Sequence, residues 1–264
     1  YFESPVLGIW PVAFTVSHGA ATTLSVPAQD HTVTEQIEGK GIHIVTDNRV
    51  AVYAVDYSPF TVDGEAVLPT PRLGTSYVLQ GYTSSTAPSQ FTVFATQDNT
   101  TVIMTTSNGT AISVAGVSTN SFPPGATWSR VLNKGQTYMV SSRGTTSVSK
   151  STITADKPIG VITHTACTNY GGCAACDLLM AEMLPTNLWG TRYITAQAQA
   201  RSGAGDDLEI NSGGTATSYF LNGVNFTLPA YGDRVHAMGP NANAVITSDN
   251  PVQVTQYSKG TSCD

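Results

Sequence analysis

The chain has 264 residues, 41% of them hydrophobic and 11% charged, with a formal net charge of −6. Length allows one or two domains, while the charged share falls well below the roughly 25% of an average globular protein. The twelve Lys and Arg are scattered rather than striped, which excludes nucleic acid and anionic membrane surfaces as partners, and no run reaches the ~18 apolar residues that would predict a membrane span.

Tyr1-Phe2-Glu3 carries neither an initiator Met nor a signal peptide, so a processed or excerpted chain is expected. From residue 1 to 26 the text is apolar and β-branched, predicting strands over 10–16 and 22–26, with Gly19 and Pro27 at turns. Residues 32–37, 41–46 and 50–55 continue the pattern and close a first unit, 1–75. A central unit, 76–189, is predicted to hold strands over 77–80, 91–96, 101–105, 111–114, 127–132, 137–140 and 148–154. Its turns fall at Gln97-Asp98-Asn99, Asn108-Gly109, Pro123-Pro124-Gly125, Asn133-Lys134-Gly135 and Arg143-Gly144. A third unit, 190–264, repeats the scheme over 193–198, 208–211, 217–221, 225–228, 234–238, 244–247 and 252–257. Helical periodicity is absent, and residues 177–183 allow at most a short turn. Short strands at even spacing with turn signals between them predict an all-β fold of tandem antiparallel β-sandwiches, jelly-roll or Ig-like.

The units are predicted because one stretch is written more than once. Ala155-Asp156-Lys157-Pro158, read as a turn, runs into Ile159-Gly160-Val161-Ile162-Thr163, then a cysteine loop over 167–176, then Leu184-Pro185-Thr186-Asn187-Leu188-Trp189-Gly190-Thr191-Arg192-Tyr193. An earlier copy runs Asp47-Asn48-Arg49-Val50 and then Leu68-Pro69-Thr70-Pro71-Arg72-Leu73-Gly74-Thr75-Ser76-Tyr77; a later one begins Asp249-Asn250-Pro251-Val252. Arg49 and Pro158 lie 109 positions apart, and Pro158 and Pro251 lie 93 apart, a period that suits whole domains rather than solenoid repeats. Pro158 and Pro251 should therefore occupy equivalent settings, each at the first position of a strand or on an edge. Val26-Pro27-Ala28 matches Leu228-Pro229-Ala230, and under that alignment the first unit lacks a counterpart of the strand near Tyr193. A sheet short of one strand invites completion by another segment, from neighbouring domains of the same protein or by self-association.

Four cysteines, Cys167, Cys173, Cys176 and Cys263, allow three pairings. In an extracellular β-protein disulfides are the expected state, with Cys167–Cys176 first and Cys173–Cys263 the bridge it leaves. The Cys173-Ala174-Ala175-Cys176 spacing also fits a redox or zinc element, without the βαβ context or second ligand pair such elements bring. Asn99, Asn108 and Asn225 head N-glycosylation sequons. His164, near cysteines and Asp177, offers the one Cys/His pair for a hydrolase, although a catalytic thiol must stay free. Asp206-Asp207-Leu208-Glu209 reads as a solvated loop rather than a calcium site. Tyr53, Tyr57, Phe60, Tyr77 and Tyr82 divide between core and surface, or form an aromatic patch for glycans or proteins. Nucleophile elbow, zinc-protease, phosphate-loop and dinucleotide signatures are missing, so no catalytic residue, metal or cofactor is expected.

The residues 41–47, Ala155 to Val161, the Cys167 to Asp177 loop, Leu184-Pro185 with Trp189-Gly190, and Gln256-Tyr257-Ser258-Lys259-Gly260 closely resemble the N-terminal domain of the IgG Fc-binding protein family. The resemblance covers nearly the whole chain and is weakest up to Pro27. It implies secreted, disulfide-bearing, non-enzymatic β modules of mucus and surface proteins; no residue set here marks an immunoglobulin site. The expected function is a structural or adhesive subunit of an extracellular filament or matrix, with a glycan- or protein-binding module as the alternative and a hydrolase as the rival from another class.

Overall fold

The computed structural model describes residues 2–4, 9–26, 35–58, 61–82, 86–107, 122–142, 146–174, 176–197, 203, 205–260 and 263. The sequon at Asn108, the strand expected over 111–114, the Arg143-Gly144 turn, Pro27, His31 and Phe60 lie outside the described residues.

The central unit is organised around one long strand. Alternating apolar residues build β7 (Gly74–Val78), β8 (Gln90–Ala95), β9 (Thr100–Thr105), β10 (Thr127–Leu132), β11 (Thr137–Ser141) and β12 (Thr152–Thr168), followed by β13 (Asp177–Glu182). In β8 the residues Phe91, Val93 and Ala95 turn inward while Gln90, Thr92 and Phe94 turn outward, the period of two that a half-covered strand requires. Strand order is β10-β9-β12-β8-β11, with β7 and β13 also paired to β12. Residues 152–155 of β12 lie between β7 and β9, and its later residues lie between β8 and β13. By changing neighbours midway, β12 folds the sheet into two layers that enclose Tyr77, Phe91, Val93, Met104, Ile153 and Val161.

The change of neighbours is the proline jog. Pairing of β12 with β7 shifts register between Thr154 and Ile159, so residues 155–158, read from sequence as a turn, continue the strand as an irregularity. Pro158 therefore sits within a central strand instead of at its start; a bulge is the interior position that tolerates a residue with no N–H. The Asp156 carboxylate accepts from the Thr101 N–H at 2.8 Å, and Lys157 Nζ donates to the Asn99 carbonyl at 2.9 Å.

The third unit repeats this arrangement strand for strand. It comprises β14 (Gly190–Thr195), β15 (Asp207–Ser212), β16 (Thr217–Leu221), β17 (Val224–Leu228), β18 (Asp233–Ala237) and β19 (Ala244–Tyr257). Its order, β17-β16-β19-β15-β18 with β14 on β19, matches the central order position by position. The register of β14 on β19 shifts between Gly190 and Arg192, opposite the segment that holds Pro251. Asp249 accepts from the Ser218 N–H at 2.9 Å and Asn250 donates to the Ala216 carbonyl at 3.2 Å, the contacts that Asp156 and Lys157 make on β9. Pro158 and Pro251 thus stand in the same setting, and a second core gathers Leu208, Ile210, Tyr219, Leu228 and Ile246.

The described part of the first unit is less regular than the sequence predicts. β1 (Phe2–Ser4), β2 (Ile9–Val12) and β4 (His43–Ile44) form a small sheet, β3 (Ile37–Glu38) joins the edge of β11, and β5 (Tyr53–Ser58) and β6 (Thr61–Ala66) form a hairpin. Residues 22–26, expected as a strand, are non-regular. Neither core cluster includes a residue before Tyr77. β-branched residues favour strands only where a neighbouring strand and an apolar cover exist. The hairpin keeps its place in the repeat: β5, β6 and a 3-10 turn at Thr70–Arg72 precede β7, as the end of β12, β13 and a 3-10 turn at Thr186–Leu188 precede β14. Residues 177–183, read as a turn, are strand β13, because β12 offers them a free edge over Ile162 to Thr168.

Candidate functional site: the junction between the two sandwich units

The central and third units begin with the same clamp. The Gly74 N–H donates to the Tyr77 hydroxyl at 3.0 Å, and that hydroxyl donates to the carbonyl of Ile159, the residue after the jog proline. In the third unit Gly190 N–H donates to Tyr193 Oη at 2.7 Å, and the hydroxyl donates to Val252 carbonyl at 2.6 Å, again just past the proline. The tyrosine thus ties the start of the first strand to the bulge of the long strand. Burial pushes the Tyr77 hydroxyl up to about 12, so it stays protonated and able to donate.

Between the units lies a polar seam under apolar cover. In β15, Leu208 and Ile210 fill the third unit's core, and alternation turns Glu209 toward the central unit. Gln80 reaches across: its Nε2 donates to the Glu209 carbonyl at 3.2 Å, and its Oε1 accepts from Gln253 Nε2 at 2.8 Å and from the Thr255 hydroxyl. Burial, then the nearby Asp233 charge, lift the Glu209 carboxyl to about 8, with Lys150 opposing. Lys150 pairs with Asp233 at 2.6 Å, and Lys259 with Asp207 at 3.1 Å. Tyr82, Tyr170 and Tyr257 meet at ring-centroid distances of 4.6 to 6.0 Å. The disulfide Cys173–Cys263, with Cα atoms 5.5 Å apart, ties the central unit's β12–β13 loop to the segment after β19, and Cys167–Cys176, at 5.1 Å, closes that loop. Three buried groups, Gln80, Glu209 and Gln253, with the half-buried Thr255, an aromatic cluster and a disulfide tie the two units together.

Beside the seam the units enclose a cleft of about 310 Å³, lined by Val78, Thr152, Trp189, Tyr231 and Asn250 among others. The β5–β6 hairpin sets its polar face against β13. Leu178 N–H donates to the Thr61 hydroxyl and Met180 N–H to the Asp63 carboxylate, both at 2.7 Å, and Glu182 N–H to the Glu65 carboxylate. Side chains here terminate the edge of β13 in place of another backbone. Burial and then the charges of Glu182 and Asp63 raise Glu65 to about 8, while burial raises Glu182 to about 7. The other face of the hairpin leaves Tyr53 and Tyr57 more than two-thirds exposed.

The residues singled out from sequence scatter over these features. The aromatic five do not form one patch: Tyr77 lies in the core, Tyr82 at the junction, and Tyr53 and Tyr57 on the hairpin. Asp206, Asp207 and Glu209 are buried at the junction instead of in a solvated loop, because the cover comes from the other unit, which local sequence does not reveal. His164 faces Thr92, its Nε2 3.1 Å from the hydroxyl, and all four cysteines are bridged, so a Cys/His nucleophile is not assembled. Among the described residues no cluster of His, Cys, Asp and Glu is arranged to hold a metal, and no helix is long and apolar enough to cross a membrane. Asn99 and Asn225 are exposed, the first in a turn at φ 53° and the second on β17. Gln80 is read from the sequence only as the end of a strand over 77–80; a lone Gln there is too common a signal to mark a junction residue.

The doubled jog, clamp and strand order define a repeating β module, and the family model described as "IgGFc binding protein" matches residues 63–264. The chain belongs to the IgGFc-binding protein family. A human protein named IgGFc-binding protein is 24% identical over 213 residues, covering 80% of this chain and 4% of its own length. The chain thus spans a small fraction of that relative. No solved structure matches significantly. The match begins at Asp63, within β6, and leaves out most of the irregular first unit.

Proposed function

We propose that this chain is part of a secreted, non-enzymatic structural or adhesive protein, a subunit of an extracellular filament or matrix. Three modules, 1–75, 76–189 and 190–264, act as links that join neighbouring domains of the same protein or other copies. The junction supports this reading: two copies of one topology are joined by buried hydrogen bonds and a disulfide. Such a rod transmits force and resists proteolysis because little backbone opens locally. Glycans at Asn99, Asn108 and Asn225 would add to that resistance. Sedimentation and electron microscopy of the purified native chain test the reading: linear polymers support it, and a monomer at every concentration overturns it.

The cleft favours a second reading, a module that binds glycans or proteins. Trp189 and the 47%-exposed Tyr231 sit with hydroxyl and amide groups in one concavity, the mixture that sugars stack on and hydrogen-bond to. The human relative's name speaks of the IgG Fc. A glycan array and an Fc-fragment titration separate the two ligand classes, and binding that survives Tyr231→Ala places the site elsewhere.

A further inference from the structure

Copying the module leaves two versions of each turn, and around the cleft the two versions differ consistently. Residues 96–99 join β8 to β9 and residues 213–216 join β15 to β16, so Thr96, Gln97 and Asp98 of the central unit stand where the third has Gly213, Gly214 and Thr215. Lys157, whose Nζ reaches the Asn99 carbonyl at 2.9 Å, corresponds to Asn250, whose Nδ2 reaches the Ala216 carbonyl at 3.2 Å. The third unit thus carries less bulk and no charge at these positions. Gly213, Gly214, Thr215 and Asn250 all line the cleft beside the seam, and among the described residues no charged side chain lines it.

One side chain is larger instead. The turns 133–136 and 229–232 close with the same bond, Gln136 N–H to the Asn133 carbonyl at 2.9 Å and Gly232 N–H to the Pro229 carbonyl at 3.0 Å. Their left-handed position holds Gly135 at φ 78° in the first and Tyr231 at φ 54° in the second. That backbone is disfavoured for a residue with a Cβ, and an outlier of this kind points toward function. A Cβ on Gly214 would stand 3.0 Å from Tyr231 Oη, and one on Gly213 would stand 3.6 Å from Trp189 Cζ3, so the diglycine backbone runs beside both rings. The central unit contributes β7 and β12, where Ser76 pairs with Thr154 and Val78 with Thr152. The hydroxyls of Ser76, Thr152 and Thr154 are committed to no partner among the described residues.

We propose that the cleft binds a neutral saccharide, one pyranose ring stacked on Tyr231 beside Gly213-Gly214, with its hydroxyls bonded to Ser76, Thr152, Thr154 and the Asn250 carbonyl oxygen. A pyranose has an apolar ring face for the aromatic side chain and a rim of hydroxyls for the polar ones. The cleft, about 310 Å³, has the size of a small-molecule site at the lower end of the roughly 300–1,000 Å³ range. Without a cation in its lining, and on a chain of net charge −6, it disfavours acidic sugars. This inference rests on the second reading above, the binding module, and names its ligand class and contacts.

The test uses the full chain and ligand-observed NMR titrations with lactose, cellobiose, chitobiose and mannobiose as neutral probes and 3′-sialyllactose as the acidic one. Tyr231→Gly restores the residue of the sister turn and should shift the melting temperature by no more than about 4 °C, which separates a binding role from a structural one. Tyr57→Ala, at a 79%-exposed tyrosine on the β5–β6 hairpin, is the control. Saturable binding of a neutral probe, weakened at least about tenfold by Tyr231→Gly and unchanged by Tyr57→Ala, with 3′-sialyllactose bound more weakly, supports the proposal. Saccharide binding that persists in Tyr231→Gly overturns the assigned cleft and leaves the binding-module reading standing. Preference for 3′-sialyllactose overturns the neutral ligand class. No binding of any probe up to about 10 mM overturns the proposal, while the Fc-fragment titration decides the protein-binding reading separately.

Discussion

Removing one oxygen from each clamp should have unequal effects, and the inequality follows from burial. Tyr77→Phe strands the Gly74 N–H and the Ile159 carbonyl in a site where the ring is fully buried. A buried polar group left unpaired costs about 1–3 kcal/mol, so the two together predict a loss of roughly 2–4 kcal/mol. Tyr193→Phe deletes the same pair of bonds in a site that solvent reaches. Water there takes over part of the bonding, and the predicted loss is about 1 kcal/mol. Urea unfolding of both variants under oxidising conditions, followed by intrinsic tryptophan fluorescence, measures the difference. A Tyr193→Phe loss equal to or larger than that of Tyr77→Phe would refute the reasoning, since the hydrogen bonds match and only the surroundings differ.

Three further outcomes follow from the same geometry. Glu65, Glu182 and Glu209 have carboxyls raised from 4.5 to about 8, 7 and 8, so the folded chain binds more protons than the unfolded chain between those values. Stability should be greatest below about pH 4.5 for these groups and decline as pH rises toward 8; thermal melts across that range check it, with Glu209→Gln flattening the slope and an upward trend contradicting it. Replacing Cys173 and Cys263 together by Ser opens a loop of 90 residues and should cost about 3–5 kcal/mol, read by urea unfolding; the unreduced wild type should show no free thiol on titration. Gly160 lies directly beneath the Phe94 ring across the β12–β8 pair, so Gly160→Ala should destabilise by about 2 kcal/mol or more through overpacking, and an unchanged melting temperature would show that the ring moves freely.

The repeat was readable because its punctuation is chemical. Pro158 and Pro251 lack an N–H, and the Leu-Pro-Thr turns set backbone direction, so the same residues recur where the chain must jog or turn. What those residues do was less readable: a run such as Ala155-Asp156-Lys157-Pro158 has turn composition, but paired strands on both sides hold it extended as a bulge in β12. The burial of Asp206 and Asp207 and the strand at Asp177–Glu182 escaped for a related reason, since their partners lie far away in sequence and only tertiary contact overrides local polarity. For the first unit the error ran the other way: its β-branched residues promise strands, but among the described residues no core forms to hold them.

One β topology occurs twice in this chain, and its two copies are joined through a buried polar seam and the Cys173–Cys263 disulfide. If the chain works as a link in a filament or matrix, as proposed above, cryo-electron microscopy of the native assembly should show sandwich units recurring at even spacing. Isolated particles at every concentration would contradict that proposal.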